Sequence, residues 1–305
     1  MRSSIGGAGY WNARISKDGE WIAKARKLLE GKSDNPTYDP QFTFDLSKDT
    51  LRMLLRCYSR GDVLSELAPL FPNILEMWEL SNRLAVEVCD KHGLATCRNW
   101  VFDLSNLNHY QWCFGLIGLA LALEVPDVHW QRLLALVGQE GEDVLLDKVV
   151  ACRQSGRRIG SALLHDRPYG RLLTCLELGG DQQARLLRDF LDHWYPELAR
   201  TGKQRLWWYD YGDPVKHPLE KGSYFGRWCI EAVAAVKSFG IDDTDCLDHP
   251  YYPGDLVQDG RSPRYSDPVP ATGTDMSRIE FGSATHGRPA RNWLSRLLLG
   301  SDRRR

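Results

Sequence analysis

The sequence lacks any apolar run long enough to cross a bilayer, which takes about 20 such residues. Its most apolar stretch, Trp112–Leu123 (WCFGLIGLALAL), has Asn108 and His109 ahead of it and Glu124 behind it. It reads as a helix buried in a core, so no membrane association is expected. A surplus of charge is missing too: 39 Lys and Arg face 40 Asp and Glu, for a formal net charge of -1. Proteins that coat nucleic acid carry a basic excess, so direct nucleic-acid binding is not expected. Metal-ligand spacing is absent as well. The eight cysteines, at 57, 89, 97, 113, 152, 175, 229 and 246, form no CxxC pair, and the eight histidines form no HExxH or HxH. A structural metal site needs such spacing, and neither metal nor cofactor is expected. The cysteines lie mostly in apolar, helix-like segments and read as reduced core residues of a reducing compartment, not as a disulfide framework. No apolar run follows the first charge of MRSSIGGAGYWNARI. That argues against a signal peptide and for the cytoplasm.

Catalytic constellations are scarce, and no catalytic residue is assigned. There is no GxSxG elbow, and Ser161 in Gly160-Ser161-Ala162 lacks that turn. Gly6-Gly7-Ala8-Gly9 resembles a phosphate loop only faintly. Five residues precede it, too few for the strand such a loop follows, and a flexible terminus is expected. Glu76 and Glu79 share one helix face without metal-binding companions and read as a solvated face. His217, with Asp210 or Asp213 as partner, is the one residue on which an enzyme reading can rest; a titratable loop residue is more often structural.

What the sequence does contain is helical periodicity. Tyr10, Trp11, Ile15, Ile22, Ala25 and Leu29 recur at helical spacing over 10–30. A helix over about 48–59 is expected after a cap at Asp45 or Ser47, ending at Gly61. Another spans 74–91, with Pro72 in its first turn and His92-Gly93 at its end. Asp103 or Ser105 starts the apolar helix through Leu123. Further helices are expected over 128–137, 144–154, 159–164, 172–178 and 182–195. The clearest spans 223–239, with Tyr224, Phe225, Trp228, Cys229, Ala232, Val233, Val236 and Phe239 on one apolar face. Gly226 inside it implies a close helix–helix approach, and Trp207-Trp208-Tyr209 reads as core packing. Alternating strand patterns are missing, apart from a short extended piece over 206–211. The fold class is therefore all-α: a multi-helix bundle in two helical regions, with stacked helix pairs as one arrangement. The boundary falls at Pro126, giving regions 1–125 and 126–258. Residues 259–305, rich in Pro, Gly, Ser and Thr, form a disordered tail. Within it, Asn292–Leu299 and the closing Arg303-Arg304-Arg305 read as a frayed basic terminus.

One charge feature stands out. Asp242, Asp243, Asp245, Asp248, Asp255 and Asp259 fall in a stretch, 241–259, that holds no Lys or Arg. Such a negative loop suits a basic partner, and these six are the candidate partner-binding residues.

The same region carries a resemblance. Gly222-Ser223-Tyr224-Phe225-Gly226-Arg227-Trp228, Ile230-Glu231-Ala232-Val233-Ala234-Ala235-Val236-Lys237, Phe239-Gly240-Ile241-Asp242-Asp243 and Tyr251-Tyr252-Pro253-Gly254-Asp255-Leu256 resemble the C-terminal signature of the PoNe immunity proteins (PoNi). Tyr10-Trp11, Leu51–Leu55 leading to Tyr58-Ser59-Arg60-Gly61-Asp62, Leu70-Phe71-Pro72 and Met77-Trp78-Glu79 resemble its N-terminal half. Arg227 and Gly254 depart from the aromatics more usual at those positions. The resemblance covers about residues 8–258. It implies a partner, a cognate PoNe DNase toxin of the PD-(D/E)xK nuclease type, often delivered by type VI secretion, and it carries over no catalytic residue. The alternative is a helical adaptor or scaffold with another protein partner.

Overall fold

The computed structural model of the chain describes residues 1–93, 103–137 and 140–267. The segment 268–305, with the expected basic terminus, and Cys97 lie outside them. Among the described residues there are helices and no strands. In order they are α1 (Ala8–Leu29), α2 (Asp39–Arg60), α3 (Leu64–Leu67), α4 (Phe71–His92), α5 (Leu107–Ala122), α6 (Asp127–Val137), α7 (Val144–Ala151), α8 (Asp166–Leu178), α9 (Gln183–Glu197) and α10 (Ile230–Phe239). They pair in space: α2 lies against α4 and α1, α8 against α9, and α5 against α10.

The ends follow ordinary capping chemistry. Pro40 stands in the first turn of α2 and Pro72 in that of α4, where a missing N–H costs nothing. Gly61, Gly93 and Gly240 close α2, α4 and α10 in the left-handed conformation. Asn106, not Asp103 or Ser105, caps α5 by accepting from the Asn108 N–H. Asp45 and Ser47 lie inside α2 instead of capping it. The buried Ser47 hydroxyl donates to the Ile74 carbonyl of α4 at 2.8 Å.

Helix α5 is the hub. Its sides are buried nearly all round, from Leu107 to Ala122, as the apolar run requires. No helix among the described residues is long and apolar enough to cross a membrane. Gly118 faces Ile230 and Ala234 of α10, and a Cβ there would fall 2.7 Å from the Ile230 side chain. The close approach expected at Gly226 is thus made at Gly118. The core runs without a break from Phe44 to Leu256. Trp11, Trp78, Trp130 and Trp194 are at most 1 % exposed, and truncating a residue of that kind costs ~3–5 kcal/mol.

Three segments depart from the sequence reading. Residues 157–165 are irregular, with bends at 161 and 164, where a helix over 159–164 was expected. The Gly160 N–H goes to Asp147 and the Leu164 N–H to Asp143, so the backbone donors are satisfied by buried carboxylates instead of a helical ladder. Residues 206–211 form turns and the start of a short 3-10 helix, not a strand. The third is 222–229, an irregular strap that precedes α10. Gly226 has φ +102°, which breaks the helix there. The Cys229 N–H donates to the Tyr251 carbonyl instead, and Trp228 is half-buried with its indole N–H on the Ser59 hydroxyl at 2.9 Å.

The cysteines divide. Cys57, Cys113, Cys175, Cys229 and Cys246 are free and buried, and Cys152 is free and exposed. Cys89, in α4, is disulfide-bonded, so the expectation of eight reduced thiols is corrected at that position.

Candidate partner-binding surface

The segment after α10 folds as short 3-10 turns, Thr244–Cys246 and Gly254–Leu256, the first of them packed against α9. Its six aspartates do not act alike. Asp255 is fully buried and ion-paired with Arg2 and, at 2.7 Å, with Arg264. Burial pushes its carboxyl up, but the Ser262 N–H and the Arg2 guanidinium outweigh that and hold it below the usual carboxylate range. Asp243 is 3 % exposed, accepts from the Tyr252 hydroxyl at 2.5 Å and pairs with Arg261. Asp259 meets Arg2 at 3.1 Å and accepts from the Leu64 N–H at 3.2 Å.

The other three, like Asp259, are exposed to solvent. Asp242 accepts from the hydroxyl and N–H of Thr244, which lower its carboxyl. Asp248 pairs with Arg188 of α9 at 2.6 Å, and that contact lowers it. Asp245 is exposed, and only its carbonyl is engaged, by Arg188. Asp189 and Asp192 of α9 stand beside this edge, tied to Arg171 and Arg188. The loop is therefore compensated by arginines outside it, Arg2 and Arg188 far off in sequence and Arg261 and Arg264 just beyond its end, a correction to the uncompensated patch read from the chain. Asp245 and Asp248, with α9, remain its outward acidic edge.

The residues that hold this edge came from an unexpected place. The first residues are packed into the protein where a loose segment was expected: Arg2 is 2 % exposed and Ser3 is 3 % exposed. Arg2 reaches Asp255 and Asp259, donates to the carbonyls of Tyr58 at 3.0 Å and Asp62 at 2.5 Å, and lies 4.5 Å from the centre of the Tyr58 ring. Residues 261–267, expected to be tail, close over it. Met1 and Tyr265 exchange backbone hydrogen bonds, and the Ala8 N–H donates to Asp267. Arg56, also buried, pairs with Asp18 and donates to the carbonyls of Gly222 and Tyr224.

The enzyme reading finds no assembled site at His217. Asp210 pairs with Arg205 and Lys216, Asp213 lies near Lys216, and the His217 ring packs edge-on against Tyr211. Glu76 and Glu79 bind Arg26 and Arg132 of neighbouring helices. Among the described residues no group of three or more His, Cys, Asp or Glu is placed to hold a metal ion.

Both halves of the chain match models of one family. Residues 2–135 match the N-terminal part of the PoNe immunity proteins (PoNi), and residues 141–256 match the C-terminal part. The chain belongs to the PoNi family. No curated protein matches it. Among solved structures, protein PA2201 from Pseudomonas aeruginosa is similar, with a TM-score of 0.61 and 20 % identity over 85 % of this chain and 90 % of that one. At that identity the likeness is one of fold.

In this PoNi protein the two positions that depart from the usual pattern are both structurally engaged. Gly254 sits against Leu247, whose side chain a Cβ would approach to 2.9 Å. Arg227 lies over the rings of Tyr195 and Tyr251, at 4.9 and 5.5 Å from their centres. Nearby, Trp112, Trp207, Trp208 and Trp228 line a cleft of about 80 Å³ with Glu231. Glu231 is buried, and its Oε1 accepts from Tyr169 at 2.9 Å, Gln111 at 3.3 Å and Trp194 at 3.4 Å. Burial raises its carboxyl above the ordinary range, against those hydrogen bonds.

Proposed function

We propose that this PoNi protein binds a cognate PoNe-type DNase toxin in the cytoplasm and neutralises it stoichiometrically, by occluding its DNA-binding or catalytic surface. The carrying observation is the family match over both halves of the chain. A DNase must present a basic groove to phosphates. The acidic edge of Asp242, Asp245 and Asp248 beside α9 offers that groove a rigid competitor. Asp243, Asp255 and Asp259 give the loop its shape, and contribute to binding through the placement of the other three. Complementary charge acts mainly on encounter, so the edge steers the toxin more than it holds it.

Co-expression with the toxin encoded beside this gene, scored for survival, tests the function: death of the co-expressing cells refutes it. Association kinetics test the surface. Asp245→Lys with Asp248→Lys is expected to leave the fold intact and slow association about tenfold at low salt, the defect shrinking as salt screens the charges. Unchanged rates at both salts would move the binding face elsewhere while leaving the immunity function standing.

A further inference from the structure

We propose that a second cleft, lined by residues 2–5 and by Arg227, is an oxyanion site that takes a carboxylate or phosphate group. The cleft measures about 60 Å³, and Ser3, Ser4, Tyr224, Arg227, Asp248 and His249 are among its lining residues. Its charges are matched except one. Arg2 is held by Asp255 and Asp259, Asp248 by Arg188, and the His249 Nε2 lies 3.3 Å from Asp192. The His249 Nδ1 accepts from the Tyr251 N–H, so that ring offers no free donor to a ligand. Arg261 and Arg264, close by, meet Asp243 and Asp255. Arg227 forms no ion pair among the described residues; its guanidinium rests on the faces of Tyr195 and Tyr251.

A guanidinium stacked on rings keeps its edge N–H groups free for a planar acceptor, the geometry in which arginine binds carboxylate and phosphate through two parallel bonds. Its stem is fixed as well: a Cβ at Gly212 would lie 2.8 Å from the Arg227 Cγ, so the arginine fits only because that position is glycine. A side chain held this way loses little freedom on binding. The Tyr224 hydroxyl, 3.5 Å from that of Ser3, adds neutral donors in the same cleft. The site does not depend on the toxin reading. A free anion or a carboxylate on a protein partner carries the same chemistry.

The test titrates the full chain with sodium phosphate, and separately with acetate, against chloride at matched ionic strength, following the arginine side-chain N–H and tryptophan indole N–H resonances. Saturable shifts of Arg227 and Trp228 are expected. Arg227→Gln should weaken phosphate binding at least about tenfold with the fold unchanged, and Arg227→Lys, which keeps the charge without the fork, should weaken it less. Tyr224→Phe should cost a smaller factor. A second arm measures Arg227→Gln against the toxin. Weakened toxin binding alongside weakened phosphate binding identifies a partner's carboxylate; toxin binding unchanged beside weakened phosphate binding identifies a free anion. No saturable shift with either salt, or equal shifts in wild type and Arg227→Gln, overturns the site, and so does toxin binding lost by Arg227→Gln without any oxyanion binding.

Discussion

Removing the Asp255 carboxylate should unlatch the two ends of the described chain. Asp255→Ala takes from Arg2 its buried partner, from Arg264 its partner, and from the Ser262 N–H its acceptor at 2.5 Å. Arg2 keeps Asp259 and the carbonyls of Tyr58 and Asp62, so its charge is left buried with a single, partly exposed counter-ion. Breaking one side of a buried pair costs ~3–5 kcal/mol, and the lost Ser262 bond lies within that figure. Urea unfolding followed by tryptophan fluorescence would read it, since the chain has 11 tryptophans. Replacing both partners, Arg2→Met with Asp255→Leu, should recover most of the loss, because the two fully buried charges leave together and the partners left behind, Arg264 and Asp259, are partly exposed to water. A pH arm checks the sign. The Asp255 carboxyl is held below its unfolded value, so its stabilisation is present above about pH 4 and disappears as pH falls through the folded value; Asp255→Asn should flatten that acid limb. Single substitutions costing under about 1 kcal/mol, or a double mutant no better than the sum of the singles, would refute the latch.

The raised carboxyl of Glu231 works in the opposite direction. Its contribution is present below the unfolded value and lost as pH rises toward the folded one, so Glu231→Gln should flatten stability above about pH 4.5, and an unchanged slope would count against it. Gly226→Ala should destabilise by more than the ~1–3 kcal/mol of a left-handed non-glycine residue, because its Cβ would also approach the Trp228 indole nitrogen and the Ser59 hydroxyl; thermal unfolding measures it. Trp228→Phe should cost about 1 kcal/mol for the bond to Ser59. A cost near that of a fully buried tryptophan would show the side chain to be core. Gly118→Val should disturb the α5–α10 contact and lower the unfolding midpoint, an effect absent if α10 can move aside.

Much of the helical framework is legible in the sequence, because periodicity and glycine stops are local properties. Gly61, Gly93 and Gly240 end their helices where the pattern says. The misreadings share a cause: a side chain whose partner lies far along the chain. Asp45 and Ser47 look like caps until Ser47 is seen bonded to α4. Tyr224, Phe225 and Trp228 fit a helical face, yet they line a strap whose backbone is bonded to Arg56 and to the 251 turn. The acidic loop was visible as composition, but its neutralisation by Arg2, Arg188, Arg261 and Arg264 was not. A count over 241–259 cannot see residue 2 or residue 188. No local signal marks Arg2 for burial, since a lone arginine near a terminus is ordinarily solvated.

The Arg2 latch also sets an order of events during synthesis. Arg2 leaves the ribosome well ahead of Asp255, Asp259 and the covering segment at 261–265, which emerge some 250 residues later. At about 5–20 residues per second, Arg2 waits tens of seconds without its carboxylates. Throughout that time the α2 terminus lacks its tie through Arg2 to the 255–259 turn, although Arg56 and Ser59 can hold the 222–228 strap once it emerges. A nascent chain halted before residue 255 can form its helices and most of its core yet not seat its own N-terminus. Protease access at residues 1–7 would thus report, during translation, whether the 255–265 segment has arrived.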